Sequence, residues 1–130
     1  MGLDFDTDIN FDLTPIDSTA VNKNIYSLLI EGEKIVDAFK TVRDQLVFTN
    51  KRIIFVDVKG ITGKKQHFTN LPYKMVQYYD IQTVGFAEVI PDAELDLHFA
   101  NGHVAHFEFK GKCKILEIGK DLSRFCLEID

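Results

Sequence analysis

The spacing of apolar residues changes period twice along this chain, dividing it into a helical opening, a long β region and a helical end. Val21, Ile25, Leu28 and Leu29 follow helical spacing, with Asp17-Ser18 in front to cap and Gly32 behind to stop. They predict a short amphipathic helix over residues 18–31, whose narrow apolar stripe suits docking on protein. From residue 33 the period shortens towards two. Glu33 to Lys40 reads as a first strand, and Leu46–Phe48 and Ile53–Val58 form a hairpin around Thr49-Asn50-Lys51. Gly60 and Gly63 mark the next reversal. Gln66 to Leu71 extends again and ends at Pro72, which has no amide to give a ladder. Met75 to Val84 reads as a strand stopping at Gly85, followed by a polar loop containing Pro91. Glu94–Phe99 alternates cleanly, and Ala105, Phe107 and Phe109 share one face of the return strand. The tail then carries Ile115, Ile118, Leu122, Phe125 and Ile129 three and four apart, predicting a helix over 112–129 that packs on its own sheet.

Parity fixes the turn between the last two strands. A two-residue Asn101-Gly102 turn would mate Leu97 with His106 and mix polar with apolar residues on one face. A three-residue loop, Ala100-Asn101-Gly102 with Gly102 left-handed, instead pairs Leu97 with Ala105 and Leu95 with Phe107. It also sets Glu94 opposite Glu108, a repulsion of about a few tenths of a kcal/mol, and Asp96 opposite His106. The predicted interior is Leu46, Phe48, Ile53, Phe55, Phe68, Leu95, Leu97, Phe107 and Phe109, with Leu122 and Phe125 from the last helix.

With 130 residues, 45% hydrophobic and 27% charged, the chain can bury one core, so residues 18–130 are expected to form a single domain. Residues 1–17 carry five aspartates and no basic residue, and Pro15 breaks any regular pattern, so they are expected to be a loose acidic arm. An EF-hand starting at Asp4 fails, because Ile9 and Pro15 fall where the loop needs Gly and Glu. Asp6 stands where a myristoylation motif wants Ser or Thr. No window approaches the apolar length of a membrane span, and the acidic start is not a signal peptide; the expected setting is the cytoplasm. Cys113 and Cys126, thirteen residues apart in the predicted helix, cannot bridge within it and read as packing or surface residues.

The runs DQLVFTNKRIIFVDVKGITGKK, LPYKMV, TVG and DAEL resemble the bacterial pleckstrin-homology domain family, once catalogued only as a domain of unknown function. The resemblance covers residues 30–128, and the FTNKR, GITGKK and PYK segments together make it specific. It implies a mainly β fold with α: a PH-like barrel of about seven antiparallel strands in two near-orthogonal sheets, with the C-terminal amphipathic helix capping one end. It also implies ring-like homo-oligomers, suggests five subunits, and carries no established ligand.

Charge bears on the partner. Residues 34–74 hold nine basic and three acidic residues, while the flanks supply the acidic excess behind a net charge of −5 and a pI near 5.3. That balance argues against nucleic acid. The candidate ligand-binding residues are Lys40, Arg43, Lys51, Arg52, Lys64 and Lys65. They would serve a phosphoinositide or an anionic membrane surface, although the convergent cluster along the first two strands of lipid-binding pleckstrin-homology domains is missing. A spread of solvated cations is the favoured reading, and membrane lipid the weaker one. His98, His103 and His106 fall near one hairpin. They lack a nucleophile and a third convergent metal ligand, so a solvent-facing His–Asp pair is expected rather than an enzyme or a metal site. The expectation is a non-catalytic binding or scaffolding domain without a cofactor. Unlike charge on different parts of one subunit would favour head-to-tail contacts that close into a homo-oligomeric ring.

Overall fold

The run Ile53-Ile54-Phe55-Val56 is buried at every position, which a strand achieves only when both faces of its sheet are covered. The computed structural model describes residues 13–60, 62, 64–86, 89–110 and 114–127, and that run lies on an interior strand of its larger sheet. The elements in order are β1 (Thr14–Pro15), α1 (Lys23–Leu28), β2 (Ile35–Lys40), β3 (Gln45–Thr49), β4 (Arg52–Lys59), β5 (Lys65–Pro72), β6 (Val76–Phe86), β7 (Val89–Phe99), β8 (Val104–Lys110) and α2 (Ile115–Leu127). They form two antiparallel sheets, β1-β2-β3-β4-β5 and β6-β7-β8. This is the expected PH-like layout, with eight strands instead of seven and no ladder joining β5 to β6 among the described strands, so the barrel is not closed.

Ile53 and Phe55 point between the sheets into the main core, with Leu46, Phe48, Leu95, Leu97, Phe107, Phe109 and Leu122. Phe125 packs against the same core part-buried. Ile54 and Val56 face the other way, beneath Val21 and Ile25. Phe68 was expected inside the barrel but joins this second cluster, because it pairs with Val56 and strand parity sends both side chains to the outer face. α2 plugs the space between the sheets. Tyr73 stacks on Phe125 with ring centroids 5.1 Å apart, and the Tyr79 hydroxyl hydrogen-bonds Ser123 Oγ at 2.7 Å.

The β7–β8 turn has the bulged form. Gly102 takes φ 90°, its amide donates to the Phe99 carbonyl at 2.9 Å, and Leu97↔Ala105 and Leu95↔Phe107 are the observed pairs.

Four expectations need correcting, and a fifth, the final helix, is met over its described residues. The 18–31 helix is a 3-10 turn over Ser18–Ala20 followed by α1, because two caps compete within it: Asp17 accepts from the Thr19 amide and Asn22 from the Asn24 amide, with Val21 extended between them. The arm does not stay loose as far as residue 17. Leu13 is fully buried and exchanges backbone hydrogen bonds with Glu108 and Lys110, while Thr14–Pro15 pairs with β2; the arm's earlier residues lie outside the described ones. Met75 belongs to a 3-10 turn, and Gly85 does not stop β6 but lies at a register shift between Val84 and Phe86, where glycine accommodates a bulge. Pro91 is not in a loop but inside β7, in the same irregular stretch. The final helix runs over Ile115–Leu127; Cys113 and Ile129, like Gly63 of the Gly60 reversal, fall outside the described residues.

Candidate functional site

Antiparallel pairing decides which cations meet. Lys40 pairs with Gln45 and Gln45 with Val56, so the β2–β3 turn and the β4–β5 reversal lie at the same end of the larger sheet. The turn over residues 41–44 is closed by the Thr41 amide donating to the Asp44 carbonyl at 2.9 Å and the Asp44 amide donating to Thr41 Oγ1 at 3.1 Å. Arg43 Nη2 donates to the Gly60 carbonyl and ties the two turns together. The Asp44 carboxylate accepts from the Val58 amide at 3.0 Å. Burial, and then the neighbouring Asp57 charge, hold its pKa above the ordinary value despite that bond and the nearby cations. Lys40, Arg43, Lys64 and Lys65 therefore share one exposed rim. Lys59, which sequence reasoning missed, joins them because it pairs with Lys65; the parity of the β4–β5 hairpin was the signal that could have found it. At the tip of the turn, between Lys40 and Arg43, Val42 is 100% exposed.

The other two candidates do not join this rim. Lys51 and Arg52 sit at the opposite end, on the β3–β4 turn, and Arg52 is occupied. Its Nε and Nη2 donate to Glu33 at 2.9 and 3.0 Å, Nη2 also to the Leu28 carbonyl at 2.7 Å, and Nη1 to Asn70 at 3.1 Å. Glu33 also accepts from Thr49 Oγ1 at 2.7 Å and the Ile30 amide at 3.0 Å. Burial opposes its ionisation, but the bonds from Arg52, Thr49 and Ile30 outweigh that and lower its pKa. Arg52 is thus engaged within the fold as a structural clamp.

The outer face of the β6–β7–β8 sheet is the acidic counterpart. Asp80 pairs with Asp96, and Asp96 with His106; Glu94 pairs with Glu108. Alternation turns these side chains away from the core. His98 Nε2 lies 2.8 Å from Asp80, and its ring stacks on Tyr78 at 4.0 Å. His106 has its own partners: Nδ1 meets Asp96 at 2.5 Å, while Nε2 lies 3.1 Å from Glu108 and 3.5 Å from Glu94. Burial opposes protonation of this ring, but its hydrogen bonds to Asp96 and Glu108 prevail and raise its pKa. The predicted Asp96–His106 pair is present, His98 stands apart from it, and the expected lack of further convergent groups is corrected by Glu94 and Glu108.

Elsewhere, an apolar cleft of about 400 Å³ lies between the end of β5 and the β7–β8 turn, lined in part by Leu71, Pro72, Met75 and Phe99. Beneath α2, burial, a hydrogen bond with Asp121 and the charges of Asp121 and Glu117 push Asp37 up to about 6. Burial likewise pushes the Cys126 thiol up to about 11, far from the range of a reactive thiolate.

Two antiparallel sheets around one core, plugged by a C-terminal helix, now stand beside a direct comparison: the family model of the bacterial PH domain matches residues 4–126. The chain belongs to the bacterial PH domain family. This bacterial PH domain is 37% identical over 112 residues to the uncharacterized protein YjqA of Bacillus subtilis (strain 168), spanning 86% of this chain and 90% of that protein. Among solved structures it is similar to a DUF1696 family protein with a pleckstrin-homology domain from Shewanella loihica PV-4, with 28% identity and a TM-score of 0.76, covering 91% of this chain and 100% of the other. It is also similar to a pleckstrin-homology domain from Shewanella amazonensis SB2B, with 34% identity and a TM-score of 0.61, covering 81% and 84%. The resemblance carried by FTNKR, GITGKK and PYK therefore holds over nearly the whole chain. None of the described helices is long and apolar enough to cross a membrane.

Proposed function

We propose that this bacterial PH domain is a non-catalytic binding module that assembles head to tail with copies of itself and closes into a ring. The observation that carries this is the segregation of charge. Lys40, Arg43, Lys59, Lys64 and Lys65 are gathered on one rim, and Asp80, Glu94, Asp96 and Glu108 on the outer face of the smaller sheet. Two unlike, complementary surfaces on one subunit make a heterologous contact, which closes when the rotation permits. The edge of β5, which pairs only with β4 among the described strands, adds backbone donors and acceptors for a neighbour. The raised pKa of the Cys126 thiol and the engagement of Arg52 in the fold support a role without catalysis. The proposed setting is the cytoplasm.

Light scattering after size exclusion tests this. A mass several times the 14.9 kDa chain is expected at moderate salt, with dissociation on charge reversal at Lys40, Arg43, Lys64 and Lys65. A monomer across a wide concentration range overturns it. A second reading takes the same rim as a site for the phosphate groups of an anionic lipid surface, and it is favoured by the fully exposed Val42 between two cations. Co-sedimentation with phosphoinositide-containing vesicles, lost in Val42→Asp and absent with phosphatidylcholine alone, would support that reading over self-assembly.

A further inference from the structure

The imidazole of His106 has two ring nitrogens in different surroundings. Asp96 holds Nδ1, while Nε2 is aimed between two other carboxylates, Glu108 at 3.1 Å and Glu94 at 3.5 Å. A carboxylate on Nδ1 fixes the ring orientation and keeps a proton on that nitrogen, so that once a metal displaces the Nε2 proton the lone pair is directed at the gap between Glu94 and Glu108. This is how metal-ligating histidines are held. We propose that Glu94, His106 and Glu108 form a binding site for a divalent transition-metal cation, with Zn²⁺ the best fitted and Asp96 the positioning carboxylate.

The separations match. Ligand atoms about 2.0–2.2 Å from a tetrahedral zinc stand about 3.3–3.6 Å from one another. The two distances from Nε2 fall within a few tenths of an ångström of that, and all three ligand atoms lie within 4.8 Å of one another. The side chains are only 12% exposed for His106, 24% for Glu108 and 32% for Glu94. They are held by the sheet but still reached by water, which would supply the fourth ligand, as at other sites with three protein ligands. An imidazole nitrogen in the set favours zinc over Mg²⁺ or Ca²⁺, which prefer all-oxygen shells. A divalent charge would also relieve the crowding of Glu94 against Glu108, directly opposite each other in register. The ligands come from two adjacent strands of one ladder, so no loop has to close to assemble them.

The test is isothermal titration of the untagged full chain with ZnCl₂, with MgCl₂ as control, at near-neutral pH. The expected result is one zinc per chain with a dissociation constant of about a micromolar or tighter, and no comparable heat from magnesium. Glu94→Gln with Glu108→Gln should weaken binding by about 100-fold or more, and Asp96→Asn, which removes only the positioning carboxylate, by about 10- to 100-fold. His98→Ala should leave it unchanged. Because the double Gln variant alters only part-exposed side chains, circular dichroism should show it folded, so the outcome does not depend on His106→Ala folding. Long-range ¹H–¹⁵N correlation should show the His106 Nε2 resonance moving on zinc addition while Nδ1 keeps its proton. Absence of zinc binding at about a hundred times the expected dissociation constant overturns the proposal. So does a double Gln variant that binds like wild type, or an Nε2 resonance that does not move.

Discussion

Arg52→Ala should unfold this protein more readily than any loss of a rim lysine, and the size of the effect follows from what the guanidinium holds. The Glu33 side chain is 0% exposed and Arg52 is 21% exposed. Removing Arg52 strips two of the carboxylate's four hydrogen bonds and leaves a buried negative charge with only Thr49 and the Ile30 amide. Orphaning a fully buried charge costs about 3–5 kcal/mol. Water reaches part of the Arg52 head, so about 3 kcal/mol is expected. Arg52→Lys, which keeps the charge but loses the fork, should cost about 1–2 kcal/mol. Glu33→Ala should cost less than Arg52→Ala, because the stranded guanidinium keeps Leu28, Asn70 and some solvent. The pH dependence has a definite sign. Glu33 has a lowered folded-state pKa, so its contribution is present above the unfolded-state value near 4.5 and is lost as pH falls through the folded-state one. Urea unfolding at pH 7 and a double-mutant cycle measure these quantities. A cost for Arg52→Ala below about 1 kcal/mol, or a coupling energy below about 0.5 kcal/mol, would refute the clamp.

Phe107→Ala should cost about 3–5 kcal/mol because the ring is fully buried between the sheets; urea unfolding checks it, and a loss under about 1 kcal/mol contradicts the packing. Leu13→Ala should lower stability by about 2–4 kcal/mol, for the same reason and by the same measurement. Asp37→Asn should raise the melting temperature at pH 7. Asp37 has its pKa raised to about 6 by burial and then by Asp121 and Glu117, so wild-type stability falls as pH rises from about 4 through 6. The advantage of the Asn variant should vanish below about pH 4, which a pH series of melts will show.

The fold was legible wherever a local rule forced one answer. Keeping Leu95, Leu97, Phe107 and Phe109 on one face left only a three-residue turn with Gly102 left-handed. The unbroken apolar run of β4 signalled burial on both faces. What escaped depended on partners distant in sequence. Leu13 is one leucine in an acidic stretch, and nothing nearby reveals that its backbone pairs beside Phe109. Asp17 and Asn22 are both good caps, and only the bonds from Asn22 to Gln45 and Gln66 fix the break between them. Arg52 looked like a ligand cation because Lys51 precedes it, whereas Glu33 reaches it only once β3 and β4 have formed. The acidic face was half legible. Parity puts Glu94 opposite Glu108 and Asp96 opposite His106, but the convergence runs between the pairs: Glu94 lies diagonal to His106 and Glu108 two residues along its own strand, and both flank Nε2.

The two sheets leave different surfaces for binding, and the proposals can be separated on that basis. The larger sheet is covered on one face by α2 and the smaller sheet and on the other by residues 16–29, so it can bind only through its edges and its rim. Among the described residues no helix or strand packs on the outer face of the smaller sheet, and that face is acidic. Self-assembly draws on both surfaces, lipid on the rim alone and zinc on the acidic face alone. Zinc at Glu94, His106 and Glu108 would cancel two of the charges that attract a neighbour's lysines, so metal should weaken a head-to-tail contact and leave vesicle binding untouched. If zinc instead tightened the assembly, the metal would have to take a ligand from the next subunit, and the contact would be held by coordination rather than by charge.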